Sequence, residues 1–422
     1  MLAGTDGKRR DKQPGNRLVK PMVYQAAENY ASTILGAEVV AGSLPEDLAM
    51  NCLKHLSRSE EVADTVDAWG NWEGKSGKPG EGYRQAFLDR SILNWAASKG
   101  VLRRHIWPEG AEWAVCLTHD MDFVNRYARW SETVMLLSRL CRGGAGLQRT
   151  LRRVGGGLLR SAGGFRADPW WCFEKWTNMA LEAGTPSTWM VFPQTVSKPH
   201  PWDAAYSYGD TVCFNKRKMR VSEMLRELRC AGMEVGLHPS IHAARDVSLL
   251  KDQRRQVEQA VGCDVTSVRQ HFLRWDAGHT PKAQIEAGLK LDSTLGFNRG
   301  VGFRNGGCYP YQMPDPVTGE VTSLIQIPLQ LMDVALFSED GLGCRTPDEA
   351  IACCMEVMEE VQAVGGVLVL NWHPNSITND SMMAVIRNLL EEVRRRRAWG
   401  ATLKDVAAHW EKREWIKHSQ AN

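Results

Sequence analysis

The chain has 422 residues, 43% of them hydrophobic and 24% charged. This is the composition of a globular protein with a sizeable core, which excludes global disorder. The formal net charge of +3 is too small to indicate nucleic-acid binding by bulk charge. No stretch approaches the roughly 20 apolar residues of a membrane span, and the N-terminus lacks the apolar run of a secretory signal. We therefore expect a cytoplasmic protein whose eleven cysteines are reduced.

The first hundred residues are predicted to be largely helical. Residues 1–20 are polar and are predicted to be a mobile N-terminus. Residues 21–107 are predicted to form a helical appendage, because apolar side chains recur there at three- and four-residue spacing. A loop rich in glycine, lysine and proline interrupts this pattern at 74–82.

Residues 108–412 alternate short apolar runs with amphipathic segments. The apolar runs predict strands at 113–118, 187–193, 233–237, 265–270, 324–327 and 366–371. Helical patterns such as VSEMLRELRCAG and PDEAIACCMEVMEEVQAVG lie between them. Such alternation favours a parallel α/β sheet or barrel. Residues 413–422 are predicted to be a C-terminal tail.

The segment at 137–166 is basic, rich in glycine and without acidic residues. It is predicted to be an insertion in the barrel. Two interpretations remain open: a solvated mobile insertion, or a surface that contacts anionic lipid or a phosphorylated substrate.

Acidic and imidazole side chains follow several of the predicted strands. Asp120 and Asp122 end the first, and His238, His271 and His373 follow later ones. In β/α barrels the carboxyl ends of the strands form the active site. These residues are therefore predicted to lie together.

The same residues suit metal-assisted hydrolysis. Asp122, His238 and His242 would supply one carboxylate and two imidazoles to a divalent metal, with positions left for water and substrate. The H-x-x-x-H spacing would place both histidines on one side of a helical turn. Asp120 could then act as general base on water activated by the metal, and His373 as the acid that protonates the leaving group.

Five motifs, LTHDMDF, GMEVGLHPSIH, VRQHFLRW, LDSTLGF and LVLNWHPN, occur in this order. Together they resemble the motifs of the polysaccharide deacetylases, carbohydrate esterase family four. The H-D-x-D and R-Q-H patterns resemble the branch associated with bacterial surface-polysaccharide biosynthesis. The resemblance implies a distorted (β/α)7 barrel and metal-dependent removal of an acetyl group, with one Zn²⁺, or Co²⁺, Ni²⁺ or Mn²⁺. By position it implies that Asp120 is the base, that Asp122 is the metal-binding aspartate, and that His238 and His242 are the histidine pair. It also implies that His373 is the acid, that Arg269 orients the base, and that Asp292 tunes the acid.

The third metal ligand stays open between two histidines. In the R-Q-H branch the position of His242 is not always histidine, so His271 is the alternative. His119 precedes Asp120 where the family usually has an aromatic residue, and we expect it to be a hydrogen-bond partner rather than a ligand.

The substrate is expected to be an acetylated sugar, as a nucleotide-linked or lipid-linked saccharide or a small glycosylated metabolite. Predicted contacts are Trp171, Trp275, Arg304 and Tyr309, and Trp170 and Trp202 also lie near strand ends. Two alternatives remain open: a deformylase or cyclic amidase on the same barrel, or a catalytically silent carbohydrate-binding protein.

Overall fold

The computed structural model describes residues 19–62, 81–126, 168–194 and 206–412, with residues 155, 200 and 202–204. The predicted insertion at 137–166, apart from Gly155, and the predicted tail at 413–422 lie outside the described residues. So do residues 1–18 of the predicted N-terminal segment. These domain boundaries stay predictions.

Three helices precede the sheet, as the apolar spacing predicts. They are α1 (Val19–Leu35), α2 (Glu46–Ser57) and α3 (Phe87–Ser98). Glu46 and Asp47 occupy the first turn of α2, where the helix dipole favours negative charge. Buried apolar side chains of all three helices belong to the same hydrophobic cluster as those of the sheet. The helical region therefore packs directly on the rest of the protein.

A ten-stranded sheet forms the centre of the described chain. The strands in chain order are β1 (Ala114–Met121), β2 (Ser187–Val191), β3 (Thr211–Phe214), β4 (Arg217–Arg220), β5 (Glu234–Leu237), β6 (Ser267–Val268), β7 (Leu291–Asp292), β8 (Tyr311–Pro314), β9 (Val321–Gln326), β10 (Leu331–Met332), β11 (Val367–Asn371) and β12 (Trp399–Gly400). The sheet order is β10-β11-β1-β2-β5-β6-β7-β9-β8, and β12 pairs with β1. All neighbours from β10 to β9 are parallel, β8 is antiparallel to β9, and β3 and β4 form a separate hairpin.

Helices connect the parallel strands. They are α4 (Phe173–Glu182), α5 (Val221–Cys230), α6 (Val247–Val261), α7 (Thr280–Glu286), α8 (Asp333–Phe337), α9 (Pro347–Val364), α10 (Asp380–Arg395) and α11 (Leu403–Lys412). Their buried positions pack on the sheet as in other α/β folds. Among the residues that the structure describes, none of the helices has the length and apolar character needed to cross a bilayer.

The parallel sheet curls so that its two ends approach each other. β9 and β10 stand at opposite ends of the parallel path, yet only residues 327–330 connect them. At about 3.5 Å per residue, that connection spans at most about 18 Å. Its backbone bonds both sides, since Ile327 N–H donates to Asp292 O at 3.0 Å and Gln330 N–H donates to Val369 O at 3.3 Å. The predicted α/β class and distorted barrel are therefore confirmed.

The parallel direction of the strands brings their carboxyl ends to one rim. β1 ends next to β11 on one side and β2 on the other, and all eight of its residues are buried. The motif residues that follow β1, β5, β6 and β11 consequently meet at this rim.

Candidate active site

Three side chains from three strand ends converge at the rim. Asp122 follows β1, His238 follows β5 and His271 follows β6. Nε2 of His238 lies 3.4 Å from Oδ1 of Asp122, and Nε2 of His271 lies 3.6 Å from the same oxygen. One donor atom from each residue lies within 4.8 Å of the other two. The cluster has the composition and spacing of a site for one cation.

The hydrogen bonds of this cluster leave its donor atoms available. Nδ1 of His238 donates to the carbonyl oxygen of Arg269 at 2.7 Å, and Nδ1 of His271 lies 3.3 Å from Oδ1 of Asp203. Each ring therefore turns its Nε2 towards Asp122, as metal-binding histidines do. Oδ1 of Asp122 is buried without a hydrogen-bond partner. One carboxylate and two imidazoles fit a divalent transition metal.

His242 does not lie in this cluster, which corrects the predicted ligand pair. Ser240, between the two histidines, has extended backbone angles of −61° and 156°, and a 3-10 turn (Ile241–Arg245) starts only after it. The spacing therefore does not place His238 and His242 on one side of a helical turn. The exposed ring of His242 instead packs 5.6 Å from that of His200. His271 takes the position expected of the third ligand.

Asp120 is buried beside the cluster and is held by two side chains. Nη1 of Arg269 donates to Oδ1 at 3.0 Å, and Nδ2 of Asn371 donates to Oδ2 at 2.8 Å. Burial alone would raise the pKa of Asp120, but the positive charges of Arg269, His238 and His373 together outweigh it and hold this pKa below its usual value. Asp120 is therefore an ionised carboxylate at neutral pH, in the form that a general base needs.

His373 lies on the other side of Asp122 and is held by Asp333. Its Nε2 is 3.7 Å from Oδ2 of Asp122, while its Nδ1 donates to Oδ1 of Asp333 at 2.7 Å. Burial opposes the charged form, but the carboxylates of Asp333, Asp122 and Asp120, with Asp333 the largest contributor, together raise the pKa of His373 to about 10. This is the protonated form that a general acid needs. A bound cation would offset the smaller effect of Asp122 on the pKa of His373 and would leave the effect of Asp333.

Asp292 does not contact His373, which corrects its predicted role. Its carboxylate is fully buried, with Gln284 Nε2 donating to Oδ1 at 2.7 Å and Thr294 Oγ1 at 2.6 Å. Burial raises the pKa of Asp292. The residue stabilises the end of β7, and Asp333 occupies the position expected of it.

A cavity of about 540 Å³ opens onto these groups. Polar and charged lining residues include Asp120, Asp122, His238, His271 and His373. Aromatic lining residues are Phe123, Trp170, Trp202 and Phe272. The cavity thus joins the candidate metal centre, base and acid to aromatic surfaces.

Two predicted aromatic contacts do not line this cavity. Trp171 donates its indole N–H to Oδ1 of Asn125 at 2.8 Å. Trp275 is only 2% exposed and belongs to the hydrophobic core. Their predicted roles are corrected: of the tryptophans near strand ends, Trp170 and Trp202 line the cavity.

Arg304 and Tyr309 also lie in structural contacts rather than at the cavity. Nε of Arg304 is 2.9 Å from Oε1 of Glu61, in a buried ion pair with the N-terminal region. The Tyr309 hydroxyl donates to the carbonyl oxygen of Val364 at 2.7 Å. Both predictions of substrate contact are corrected, because these donors are already paired inside the protein.

Three residues that hold the candidate catalytic and metal-binding side chains were not predicted: Asp203, Asp333 and Asn371. Asp333 follows a strand of two residues, β10, so no apolar run marked its position. Asn371 stood within a recognised motif, and its position at the end of β11 was the available signal. Asp203 follows no strand, and the sequence carries no signal for it.

No protein-family model and no curated protein matches the chain. Several solved structures are similar to it, among them the three that follow. A protein from Mycobacterium smegmatis described as a polysaccharide deacetylase has a TM-score of 0.47 and 21% identity, covering 73% of this chain and 93% of that one. The Puue allantoinase has a TM-score of 0.47 and 15% identity, covering 74% and 95%. A protein from Pseudomonas aeruginosa PAO1 described as a polysaccharide deacetylase has a TM-score of 0.46 and 16% identity, covering 74% and 96%.

Proposed function

We propose that this protein is a metal-dependent hydrolase that removes an acetyl group from an N-acetylated, or O-acetylated, sugar or glycoconjugate. One observation supports this most directly. Asp120 and His373 line the same cavity as the Asp122, His238 and His271 cluster. An ionised carboxylate and a protonated imidazole on the two sides of a candidate metal site are the groups that acyl hydrolysis requires.

The reaction needs one proton acceptor and one proton donor. Asp122, His238 and His271 would hold a divalent cation, which when bound polarises an acyl carbonyl and lowers the pKa of water. Asp120 takes a proton from the attacking water as the new carbon–oxygen bond forms. His373 gives a proton to the departing nitrogen as the carbon–nitrogen bond breaks. The products are acetate and an amine.

The aromatic part of the cavity supports a sugar substrate. Phe123, Trp170, Trp202 and Phe272 offer ring faces suited to the apolar face of a pyranose. Side-chain amides such as Asn298 also line the cavity and can bond hydroxyl groups. We extend the proposal to nucleotide-linked or lipid-linked saccharides and small glycosylated metabolites.

Three further points stay predictions: zinc as the metal, the cytoplasm as the location, and peripheral membrane contact through residues 137–166.

Metal analysis tests the site. We would measure bound metal by elemental mass spectrometry in the wild type and in Asp122→Ala, His271→Ala and His242→Ala, after reconstitution with Zn²⁺. We expect about one equivalent in the wild type and in the His242 variant, and a loss in the other two. His242→Ala is the matched control, because it removes an imidazole outside the cluster. Loss of metal in the His242 variant alone would overturn the site.

Acetate release tests the reaction. The metal-loaded wild type and Asp120→Asn are compared on an N-acetylglucosamine oligomer, with acetate measured enzymatically. In parallel, formate release is measured on formylated sugars and ring opening is measured on cyclic amides. We expect wild-type acetate release to fall by about 100-fold or more in Asp120→Asn. Oligomer binding without any product would favour the silent carbohydrate-binding alternative, and turnover of formyl or cyclic amides alone would favour the other hydrolases.

A further inference from the structure

His119 is buried directly behind the candidate active site. It precedes Asp120 on β1, so its side chain points to the opposite face of the sheet. Its ring packs 4.5 Å from the ring of Trp189 and 5.0 Å from that of Trp176, and it is fully buried. It does not line the cavity. Any effect of His119 on the site is therefore exerted through other residues.

Side chains hold the backbone on both sides of His373. Nδ1 of His119 donates to the carbonyl oxygen of Trp372 at 2.7 Å. The indole N–H of Trp176 donates to the carbonyl oxygen of Pro374 at 3.0 Å. The residues before and after His373 are thus bonded to two side chains that pack on each other.

The protonation state of His119 favours this arrangement. Burial lowers the pKa of His119 to about 4, so its ring is neutral at physiological pH. The bond to a carbonyl oxygen places the single ring proton on Nδ1. Nε2 is then buried without a hydrogen-bond partner. An unpaired buried nitrogen lowers stability, so the histidine is not the residue that packing alone would select.

We propose that His119, together with Trp176, is a positioning residue that fixes residues 372–374 so that Nε2 of His373 is directed at the leaving group. This inference rests on the proposed function, because it assigns His373 the role of acid. Two further hydrogen bonds hold this segment. Trp372 N–H donates to Thr118 O at 3.0 Å, and His373 N–H donates to Asp333 Oδ2, also at 3.0 Å. Loss of the His119 donor would free the carbonyl of Trp372 and let His373 move.

Two substitutions separate the hydrogen bond from the packing. His119→Phe keeps an aromatic ring between Trp176 and Trp189 but removes the donor. His119→Asn keeps a donor, since the amide nitrogen of asparagine can occupy the place of Nδ1. Trp176→Phe removes the second donor. Trp410→Phe is the matched control, because it removes the bond from a buried indole to Thr33 Oγ1, at 3.1 Å, on α11.

The two probes are an N-acetylglucosamine oligomer and 4-nitrophenyl acetate. An amide needs a proton on its leaving nitrogen, whereas nitrophenolate leaves without one. A displaced His373 therefore slows the amide more than the ester. We expect His119→Phe to lower kcat for the amide by about 100-fold, as misplacement of a catalytic group by about 1 Å does, with KM nearly unchanged. The ester rate should fall by less than about 3-fold, and the metal content should equal that of the wild type.

The outcomes distinguish the inference from the proposed function. His119→Asn should recover most of the amide activity, Trp176→Phe should show the same selective loss, and Trp410→Phe should not. Equal losses on both probes, or an unchanged ratio of amide to ester turnover, would overturn the positioning role. A wild type that releases no acetate from the oligomer would instead overturn the proposed function.

Discussion

Asp203 supports His271 of the candidate metal centre and the backbone that follows His238. Its Oδ1 lies 3.3 Å from Nδ1 of His271 and accepts the N–H of Ile241 at 3.0 Å, three residues after His238. The hydrogen bonds to Asp203 lower its pKa in spite of burial, so it is ionised at neutral pH. A carboxylate in this position fixes the orientation of a metal-binding ring.

We therefore predict that Asp203→Ala weakens zinc binding by about 10- to 100-fold. The affinity is measured by competition with a chromophoric chelator. Asp210→Ala is the control, because Asp210 is also buried but accepts a bond from Ser207 N–H instead. Zinc affinity unchanged in the Asp203 variant would remove this residue from the site.

The residues of the site could be predicted to different degrees. Asp120 lies near the end of β1, and Asp122, His238 and His373 each follow a strand, so parallel pairing alone brings them together. The choice between His242 and His271 depends on whether residues 238–242 form a helical turn. Local spacing cannot decide that, because the same residues also suit the extended backbone and 3-10 turn that the structure has.

At the scale of elements, β5 carries His238 between two neighbouring strands. Gly236 lies within β5, and a Cβ atom added there would come within 2.6 Å of Met190 Sδ on β2 and 3.2 Å of the Ser267 carbonyl oxygen on β6. Backbone cannot move aside cheaply at the centre of a sheet. The close approach of three strands therefore depends on this glycine.

We predict that Gly236→Ala lowers the free energy of unfolding by about 1–3 kcal/mol, the usual effect of overpacking. The change is measured by urea denaturation followed by circular dichroism. Gly209→Ala serves as control, because a Cβ there would meet only Ser207 Oγ at 3.7 Å, an ordinary contact. Equal stability of the two variants would mean that the strands separate without strain.

Six of the twelve strands in the described residues could be predicted from apolar runs in the sequence, and the other six could not. The six predicted apolar runs overlap β1, β2, β5, β6, β9 and β11, with different bounds. β7 and β10 contain only two residues each, too few to show a period. Because β10 was missed, Asp333 after it was missed as well, and its role was assigned to Asp292 instead.

At the scale of the whole molecule, a buried ion network joins the N-terminal helices to the barrel. Oε1 of Glu61 accepts from Arg58 Nη2 at 2.9 Å and from Arg304 Nε at 2.9 Å. All three residues are less than 9% exposed. Arg304 is 243 positions from Glu61, and no local pattern can predict a pair at such separation. For this reason Arg304 was predicted to contact substrate, although its role in the structure is to pair with Glu61.

We predict that Glu61→Gln lowers the free energy of unfolding by about 3–5 kcal/mol, because it leaves the buried guanidinium of Arg304 without its counter-charge and leaves Arg58 with Glu60 alone. Guanidinium chloride denaturation measures the change. Glu356→Gln, which removes an exposed partner of Arg84, should change stability by less than about 1 kcal/mol. Similar effects of the two substitutions would show that the buried network does not fasten the helices to the barrel.

Asp89 of α3 makes the same junction sensitive to pH. Its fully buried carboxylate accepts from the Tyr30 hydroxyl at 2.6 Å and from Cys308 N–H at 2.9 Å. Burial raises the pKa of Asp89 to about 7, although these bonds oppose the rise. In the unfolded chain an aspartate titrates near pH 4, so between about pH 4 and pH 7 the folded state binds more protons than the unfolded one. The contribution of Asp89 to stability is therefore greatest at low pH and declines as pH rises to about 7.

We predict that the stability of Asp89→Asn relative to the wild type increases as pH rises from 4 to 7, by up to about 4 kcal/mol, and is constant above that range. The comparison uses urea denaturation of both proteins at each pH, so that the other titrating groups cancel. The sign follows from the neutral amide, which does not have to become a buried anion. A difference that stays constant across the range would show that Asp89 titrates at its ordinary pKa. Protonation of Asp89 would then not contribute to the attachment of the N-terminal helices to the barrel.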